Sequence, residues 1–192
     1  PVACSVATQN LGTTALLDLI VEGVPSPADK VAAEVPDGGA AFVFKTVADP
    51  FAGRINVFRV LSGTLSSDSN LVNSRTHGKE RVGQLLLRQG KDHEPAPEFG
   101  EGDIGAVAKL KDTRTNDTLA DKAAGITFAP ISFPEPVLSY AIEPKSRGDE
   151  DKISTAMHRL EEEDGSIHYA RDPNTNELLL SGQGQLHIEV TV

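Results

Sequence analysis

Apolar and polar positions alternate in two runs between residues 41 and 63. The residues between the runs, Asp49 and Gly53 among them, favour a tight turn, so the pattern predicts antiparallel strands at 41–48 and 54–61. Arg54 and Arg59 fall among apolar residues on opposite faces of the second strand. An arginine in such a position either extends its head group past an apolar stem or binds an anion. The residues alone favour the structural role for both.

The region from Gly38 to Asp121 continues with short β-rich runs separated by turn residues. A longer loop is predicted at 90–100, where Pro95 and Pro97 interrupt any strand. No helical periodicity occurs here, and short strands at this spacing indicate a sandwich or a small barrel. The predicted strands are 41–48, 54–61, 69–73, 81–88, 103–110 and 117–120.

The first 27 residues follow a different pattern. Residues 1–7 read as a short apolar strand, and Thr13 is a plausible N-cap for a helix that ends before Pro25. One strand and one helix cannot bury their apolar faces alone, so we expect the rest of this domain to lie upstream. The predicted apolar face of the helix consists of Leu16, Leu17, Ile20, Val21 and Val24.

After residue 136 the periodicity changes again. A strand at 137–142 precedes a helix that begins near Asp149, and a hairpin follows at 167–170 and 178–180. Strand, helix, strand, strand is the beginning of a split βαβ fold, so we expect the chain to end within this domain. The acidic run 161–164 is interpreted as a solvated helix end. The predicted buried face of the helix consists of Ile153, Ala156, Met157 and Leu160.

Composition narrows the possible functions. The 192 residues carry a net charge of −10, which argues against unspecific coating of nucleic acid, because that binding requires many lysines and arginines. The single cysteine, Cys4, cannot form an internal disulfide, and a reducing cytoplasm fits best. No apolar run is long enough to span a membrane. One basic group, interpreted as a solvated loop and strand edge, consists of Arg75, His77, Lys79, Arg81, Arg88 and Lys91.

Catalytic motifs are missing from the sequence. It contains no phosphate-binding Gly-x-x-x-x-Gly-Lys-Ser/Thr loop, no Gly-x-Ser-x-Gly elbow, and only two glycines at Gly182-x-Gly184. His158, His168 and His187 do not have a metal-ligand spacing. We therefore expect no catalytic activity and no bound metal in this chain.

Five separated blocks resemble translational GTPases of the elongation factor G family, in the family's order and over almost the whole chain. The resemblance implies a multidomain α+β fold: the end of a GTP-binding domain at 1–30, a translation-factor β-barrel at 37–121, and a partial ferredoxin-like split βαβ domain at 132–192. The blocks are PVACSVATQNLGTTALLDLIVEGVPSP, FVFKTVADPFAGRINVFRVLSGTL, GDIGAVAKLKDTRTNDTLAD, FPEPVLSYAIEPKSRGDEDKISTAMHRLEEED and LLLSGQGQLHIEV.

The resemblance also implies a function. The family's GTPase motifs lie upstream of these blocks, so GTP and Mg²⁺ belong to the intact parent, and Ser5 is a remnant of the loop that backs the guanine. The expected partner is the ribosome, through small-subunit rRNA and ribosomal protein, and the expected state is a cytoplasmic monomer without membrane contact. The implied ribosome contacts are Arg59, Val60, Ser62 and Gly63 in the barrel, and Gly184, Leu186 and His187 in a third-domain turn.

The sequence departs from the family pattern at several positions. Cys4-Ser5-Val6 replaces Gly-Ser-Ala, Gly165 replaces a proline, and Gln185 replaces a glutamate. These changes indicate a divergent elongation factor G-like paralogue. Two alternatives stay open: a GTPase-type release or ribosome-protection factor, and a scaffold that binds a non-ribosomal protein.

Overall fold

A computed structural model describes residues 2–27, 38–49, 51–90, 92–121, 126–144, 146 and 148–192. The chain forms two compact units, Pro1–Glu34 and Val35–Val192. Lys91 of the predicted basic group lies outside the described residues.

The first unit is mainly helical. A 3₁₀ turn, Ala7–Gln9, leads to helix α1, Thr13–Gly23. The predicted strand at 1–7 is wrong for the described residues: only an isolated bridge joins Val6 to Leu11, and a strand needs a partner to satisfy its ladder. Thr13 is the first helical residue rather than the cap, because Gly12, in the left-handed region, precedes the helix. The apolar face predicted for α1 is exposed.

The second unit begins with an all-β region. Eight of its described strands form one antiparallel sheet, in the order β5-β4-β10-β1-β2-β9-β6-β7, and β3 pairs with β8 in a short ribbon. The strands are β1 Ala40–Asp49, β2 Gly53–Ser62, β3 Leu65–Ser66, β4 Asn70–Asn73, β5 Lys79–Arg81, β6 Leu85–Gln89, β7 Asp92–Ala96, β8 Glu98–Phe99, β9 Ile104–Ala108 and β10 Thr118–Ala120.

A buried core shared by both ends of this sheet shows that the sheet curls into a barrel. Leu71, from β4 near one end of the sheet, and Leu85, from β6 near the other, belong to the same buried cluster. Phe58 and Phe99 meet edge-to-face inside it, with ring centroids 6.0 Å apart. A sheet whose two ends share a core must wrap around it, so the small-barrel prediction is confirmed.

Two of the predictions for this region need correction. The predicted strand 81–88 is interrupted, because β5 ends at Arg81 and β6 begins at Leu85. The predicted loop 90–100 contains β7 and β8. Pro95 is compatible with β7 because this strand lies at the edge of the sheet and needs only one hydrogen-bonding partner.

Two register shifts break the alternation predicted for the β1–β2 pair. Val43 lies opposite Phe58 and Lys45 opposite Val57, which leaves Phe44 as the extra residue of a bulge. Beyond this bulge Thr46 is buried and Lys45 is exposed. A second shift, between Ala40 and Ala41, falls beside the end of β2.

Two buried carboxylates hold the β9–β10 connection against β4 and β5. Glu80 accepts hydrogen bonds from the Lys111 and Asp112 N–H groups and from the Thr113 hydroxyl, at 2.8–2.9 Å. Asp117 accepts from the Asn73 amide at 2.8 Å, from the Arg75 guanidinium at 2.6 Å and from the Arg114 N–H at 3.0 Å. The solvated interpretation therefore fails for Arg75, which has a structural partner.

The remainder of the second unit is an α+β layer. Strands β11 Leu138–Ile142, β12 His168–Arg171 and β13 Leu178–Gly182 form an antiparallel sheet in the order β11-β13-β12. Helix α2, Glu150–Glu163, joins the first two strands, and helix α3, Gln185–Thr191, follows the third. This order matches the predicted partial ferredoxin-like fold. Met157 is buried as predicted and shares a core cluster with Leu180, whereas Ala156, which was predicted to be buried, is exposed.

The acidic run at the end of α2 forms specific contacts, so its interpretation as a solvated helix end is wrong. Glu161 accepts the Tyr169 N–H, and Glu163 accepts the Ala48 N–H of β1. Glu162 binds the Arg54 guanidinium through two nitrogens, one of them 3.1 Å from the carboxylate. Arg54 thus keeps the structural role that its sequence suggested, with a carboxylate of α2 as its partner.

We predict that Asp117→Asn destabilises the barrel by about 2–4 kcal/mol, because it leaves the Arg75 charge without its carboxylate and disturbs the Asn73 and Arg114 hydrogen bonds. Urea unfolding measures the change. Asp112→Asn is the control, since its side chain is half-exposed; an equal loss in both variants would contradict the proposed importance of the buried carboxylate.

A double-mutant cycle on Arg54→Ala and Glu162→Ala should give a coupling energy of about 0.2–1 kcal/mol. The value is small because the two side chains are 31% and 41% exposed, so water and salt screen their attraction. Unfolding in urea at low and high salt provides the measurement. A coupling that salt does not weaken would contradict the ion-pair assignment.

Candidate functional site

Arg59 lies in the middle of the sheet, on its outer side. It pairs with Phe42 on β1 and with Ile104 on β9, and its side chain is exposed. The hydrogen-bond ladders on both sides hold its backbone in place, while the guanidinium remains open to solvent. A fixed backbone with a free guanidinium suits an anion-binding arginine.

Val60 and Ser62 fix the carboxyl end of β2 through burial and hydrogen bonds. Val60 is fully buried, its N–H donates to the Asp103 carbonyl at 2.9 Å, and its carbonyl accepts the Gly102 N–H at 2.8 Å. The Ser62 hydroxyl donates to the Gly38 carbonyl at 3.1 Å. Neither side chain is free, so both residues can act at a surface only by positioning their neighbours.

Gly63 is required by a close approach of two backbones. Its φ is +63°, and an added Cβ would lie 2.8 Å from the Gly38 carbonyl oxygen and 3.1 Å from the Cα of Gly39. Any side chain here would collide with main chain that cannot move aside. This packing accounts for the glycine without any ligand.

Gly184, Leu186 and His187 do not form the turn that the sequence predicted. Gly184 is the N-cap of α3, and the other two residues belong to its first turn. Leu186 is 72% exposed, whereas Ile188 is buried against the domain core. The prediction missed this helix because its few residues follow a glycine-rich stretch that is typical of a loop.

His187 joins α3 to the end of α2. Its Nδ1 accepts the Gln183 N–H at 3.2 Å, so in the neutral ring the proton lies on Nε2, which faces the Asp164 carboxylate at 3.2 Å. Burial by itself would raise the pKa of Asp164, but hydrogen bonds from the Ser166 hydroxyl and N–H and from His187 outweigh burial and lower it. His187 therefore has structural partners on both ring nitrogens.

Ser5 lies in the first unit, in the irregular segment before the 3₁₀ turn, and is exposed. An added Cβ on Gly12 would lie 3.4 Å from the Ser5 Cα and 2.7 Å from the Cys4 carbonyl oxygen. The segment therefore packs closely against the start of α1, and Gly12 permits that approach.

The structure thus places the seven implied contact residues on two elements, the end of β2 and the start of α3. Sequence reasoning missed the buried carboxylates Glu80 and Asp117 and the exposed Phe51 in the β1–β2 turn. An aromatic residue directly after Asp49-Pro50 was the available signal for Phe51, because turns lie on the protein surface, where side chains are exposed.

Among the described residues, no three His, Cys, Asp or Glu side chains cluster in a way that could hold a metal ion. Within the same part of the chain, no helix combines the length and apolar character that crossing a membrane requires.

Comparison with known families agrees with this architecture. The family model for elongation factor G domain 2 matches residues 39–122, and the one for elongation factor G domain III matches residues 133–192. The chain belongs to the elongation factor G family. The matched segments coincide with the barrel-like region and the α+β layer, so the multidomain α+β fold expected from the sequence is confirmed.

A solved structure extends the similarity to nearly the whole chain. A crystal structure of a protein from Thermus thermophilus matches 97% of the chain, with 30% sequence identity and a TM-score of 0.83. The chain spans 28% of the length of that protein. The fold of this chain is therefore shared with part of a longer protein over almost its whole length.

The lowered pKa of Asp164 predicts an acid-sensitive contact between α2 and α3. A carboxyl group with a lowered folded-state pKa adds stability above its unfolded pKa, near 4, and loses it as the pH falls through the folded value. Asp164→Asn should therefore cost up to about 1 kcal/mol at pH 7, and the difference from wild type should vanish at acidic pH. Urea unfolding between pH 2.5 and pH 7, roughly the range that brackets carboxyl titration, tests this.

Asp18→Asn, on the exposed surface of α1, provides the control for this titration. A difference between wild type and Asp164→Asn that stays constant with pH would contradict the assigned ionisation.

Proposed function

We propose that this chain is the ribosome-docking and relay portion of an elongation factor G-like GTPase that acts in translation elongation. Family membership supports the class of function. Within the family resemblance, the barrel contacts small-subunit rRNA, and the domain after it relays nucleotide state between the GTPase and the ribosome.

The proposal assigns a role to each part of the chain. Residues 1–30 are the carboxyl end of a GTP-binding domain, residues 37–121 are the second domain, and residues 132–192 belong to the third. GTP and Mg²⁺ are ligands of the intact protein, which acts in the cytoplasm as a monomer, and this portion is not catalytic by itself.

The exposed Arg59 on a rigid strand is the observation that carries the proposal. A guanidinium donates two parallel hydrogen bonds to a phosphate, and a fixed backbone reduces the entropy lost on binding. Val60, Ser62 and Gly63 hold the strand end through core packing, a hydrogen bond to Gly38 and close backbone contact. A contact of this size is local, so the net charge of −10 does not oppose it.

The start of α3 is the second contact that we propose. Leu186 presents an exposed apolar side chain there, while His187 fixes the helix against Asp164. The Gln185 side-chain amide donates to the Glu189 carboxylate at 2.7 Å, so the residue that departs from the family pattern makes its hydrogen bond within α3. We propose on this basis that the parent is a divergent paralogue with an altered third-domain contact.

Sedimentation with small ribosomal subunits at two salt concentrations tests the docking proposal. We expect the chain to co-sediment, and Arg59→Ala to weaken binding about tenfold because one charge-assisted phosphate contact is lost. Binding should also become less dependent on salt.

Arg171→Ala on β12 is the matched control, since it removes the same charge from an exposed strand outside the barrel. No co-sedimentation, or equal effects of the two substitutions, would overturn the docking proposal and favour a scaffold for a non-ribosomal protein.

A further inference from the structure

Strand β12 lies at one edge of the three-stranded sheet, whose order is β11-β13-β12. It pairs with β13 from His168 opposite Ser181 to Arg171 opposite Leu178, and within the described residues it has no neighbouring strand on its other side. Alternate residues of such a strand direct their N–H and C=O groups away from the sheet. These groups can pair with a strand of another molecule, so a free edge is a site of association.

The outward N–H groups at the start of β12 already have acceptors. The Tyr169 N–H donates to the Glu161 carboxylate at 2.6 Å, so it points away from β13 and towards the free edge. The Ile167 N–H, two residues earlier and therefore on the same side of the chain, donates to the Asp164 carbonyl at 3.2 Å. Both acceptors belong to the carboxyl end of α2, which thus covers this part of the edge.

Further contacts hold the Glu161 carboxylate in this position. Its second oxygen lies 3.4 Å from the Nδ1 atom of His158, one helical turn earlier. The His158 ring meets the Tyr169 ring edge-to-face, with centroids 6.0 Å apart. The Glu161 side chain is only 27% exposed, although it belongs to a run of acidic residues at a helix end. A carboxylate held by two groups is a preorganised acceptor, and its charge strengthens the hydrogen bond that it accepts.

The Glu161 contact is not required to attach α2 to the sheet. Met157 of α2 and Leu180 of β13 belong to one buried cluster with Ile167, and Tyr169 packs against that cluster. Burial of apolar side chains in this way is the dominant favourable term in folding. The Glu161 carboxylate adds what apolar packing cannot provide, an acceptor for a main-chain donor that would otherwise face solvent at the edge.

We propose that Glu161 closes the β12 edge against strand addition and thereby keeps this chain from pairing with a second copy of itself. In a purified sample the strand available to this edge is β12 of another molecule, and two identical strands can pair antiparallel about a two-fold axis. An incoming strand would have to displace the carboxylate from the Tyr169 N–H. It would also bring carbonyl oxygens close to a negative charge, which repels them.

This inference goes beyond the docking proposal, because it concerns self-association and not the ribosome. Arg59 lies on β2 of the barrel and Glu161 on α2, so the two residues can be changed separately. Glu161→Ala, at concentrations below those at which it associates, should sediment with small ribosomal subunits as the wild type does. Failure of one proposal would therefore not imply failure of the other.

Amide hydrogen exchange of Tyr169 tests the closed edge directly, with the full chain followed by NMR. The wild-type amide should be protected although it lies on an edge strand. Glu161→Ala should make it exchange about tenfold faster, as expected for the loss of one charge-assisted hydrogen bond. Glu161→Gln retains a side-chain carbonyl oxygen as acceptor and should keep most of the protection.

Sedimentation equilibrium over a range of protein concentrations measures the consequence, at a salt concentration that screens the net charge of −10. Glu161→Ala should form dimers with a dissociation constant in the high-micromolar range, because the pairing of one short edge strand makes a small interface. Wild type and Glu161→Gln should stay monomeric. Glu143→Ala is the matched control, since it removes the same charge from an exposed position after β11.

A proline at the edge provides a rescue. The Arg171 N–H lies two residues beyond that of Tyr169 and faces the same side of β12. Proline has no N–H, and edge strands tolerate it where that group would face solvent. Arg171→Pro combined with Glu161→Ala should therefore return the chain to a monomer.

Fast exchange of the Tyr169 amide in the wild type would overturn the proposal without reference to any variant. A monomeric Glu161→Ala, or equal association of Glu143→Ala, would also overturn it, the latter by showing that charge alone controls association. Association that Arg171→Pro does not suppress would place the contact on another surface and contradict the assigned edge.

Discussion

The long antiparallel pairing of β1 with β2 is the interaction on which the rest of the second unit depends. These strands occupy the centre of the eight-stranded sheet, with β10 on one side and β9 on the other. Arg59 lies near the carboxyl end of β2, which Gly63 follows in close contact with the Gly38 backbone, and Phe51 lies in the turn before the strand. The pairing therefore sets the distance between Arg59 and Phe51, because neither end of β2 can move without breaking ladder hydrogen bonds.

The acidic end of α2 contacts both strands of the β1–β2 pair. Glu162 and Glu163 contact Arg54 and the Ala48 N–H, so the third-domain helix attaches to the same two strands. Asp164, the next residue, binds His187 on α3. Consecutive acidic residues thus connect β1, β2 and α3 through a short, continuous set of polar contacts. Because the Arg54–Glu162 pair is partly exposed, water and salt screen it and it adds little stability.

Sequence reasoning identified most elements and several of their roles. The strand, helix, strand, strand order of the third domain was predictable because helical and strand periodicities differ clearly. The bulge at Phe44 was not predictable, since the same residues fit an uninterrupted alternation and only the pairing with Phe58 and Val57 reveals the extra residue. Strand β7 was missed for a related reason: Pro95 excludes a central strand, and its edge position depends on where the hairpin packs.

The sequence by itself determined the family and the α+β class, because these depend on local patterns and on the order of motifs along the chain. The tertiary structure decided which polar residues are structural. Glu80, Asp117 and the acidic end of α2 resemble solvated residues in sequence, yet each of them has a partner far along the chain. These separations reach from 31 positions, between Glu80 and Lys111, to 115 positions, between Glu163 and Ala48. The closed edge of β12 likewise exists only after α2 has packed on the sheet and brought Glu161 to the Tyr169 N–H. Whether a polar side chain is buried and paired depends on the residues packed around it, and long-range strand and helix packing brings those residues together.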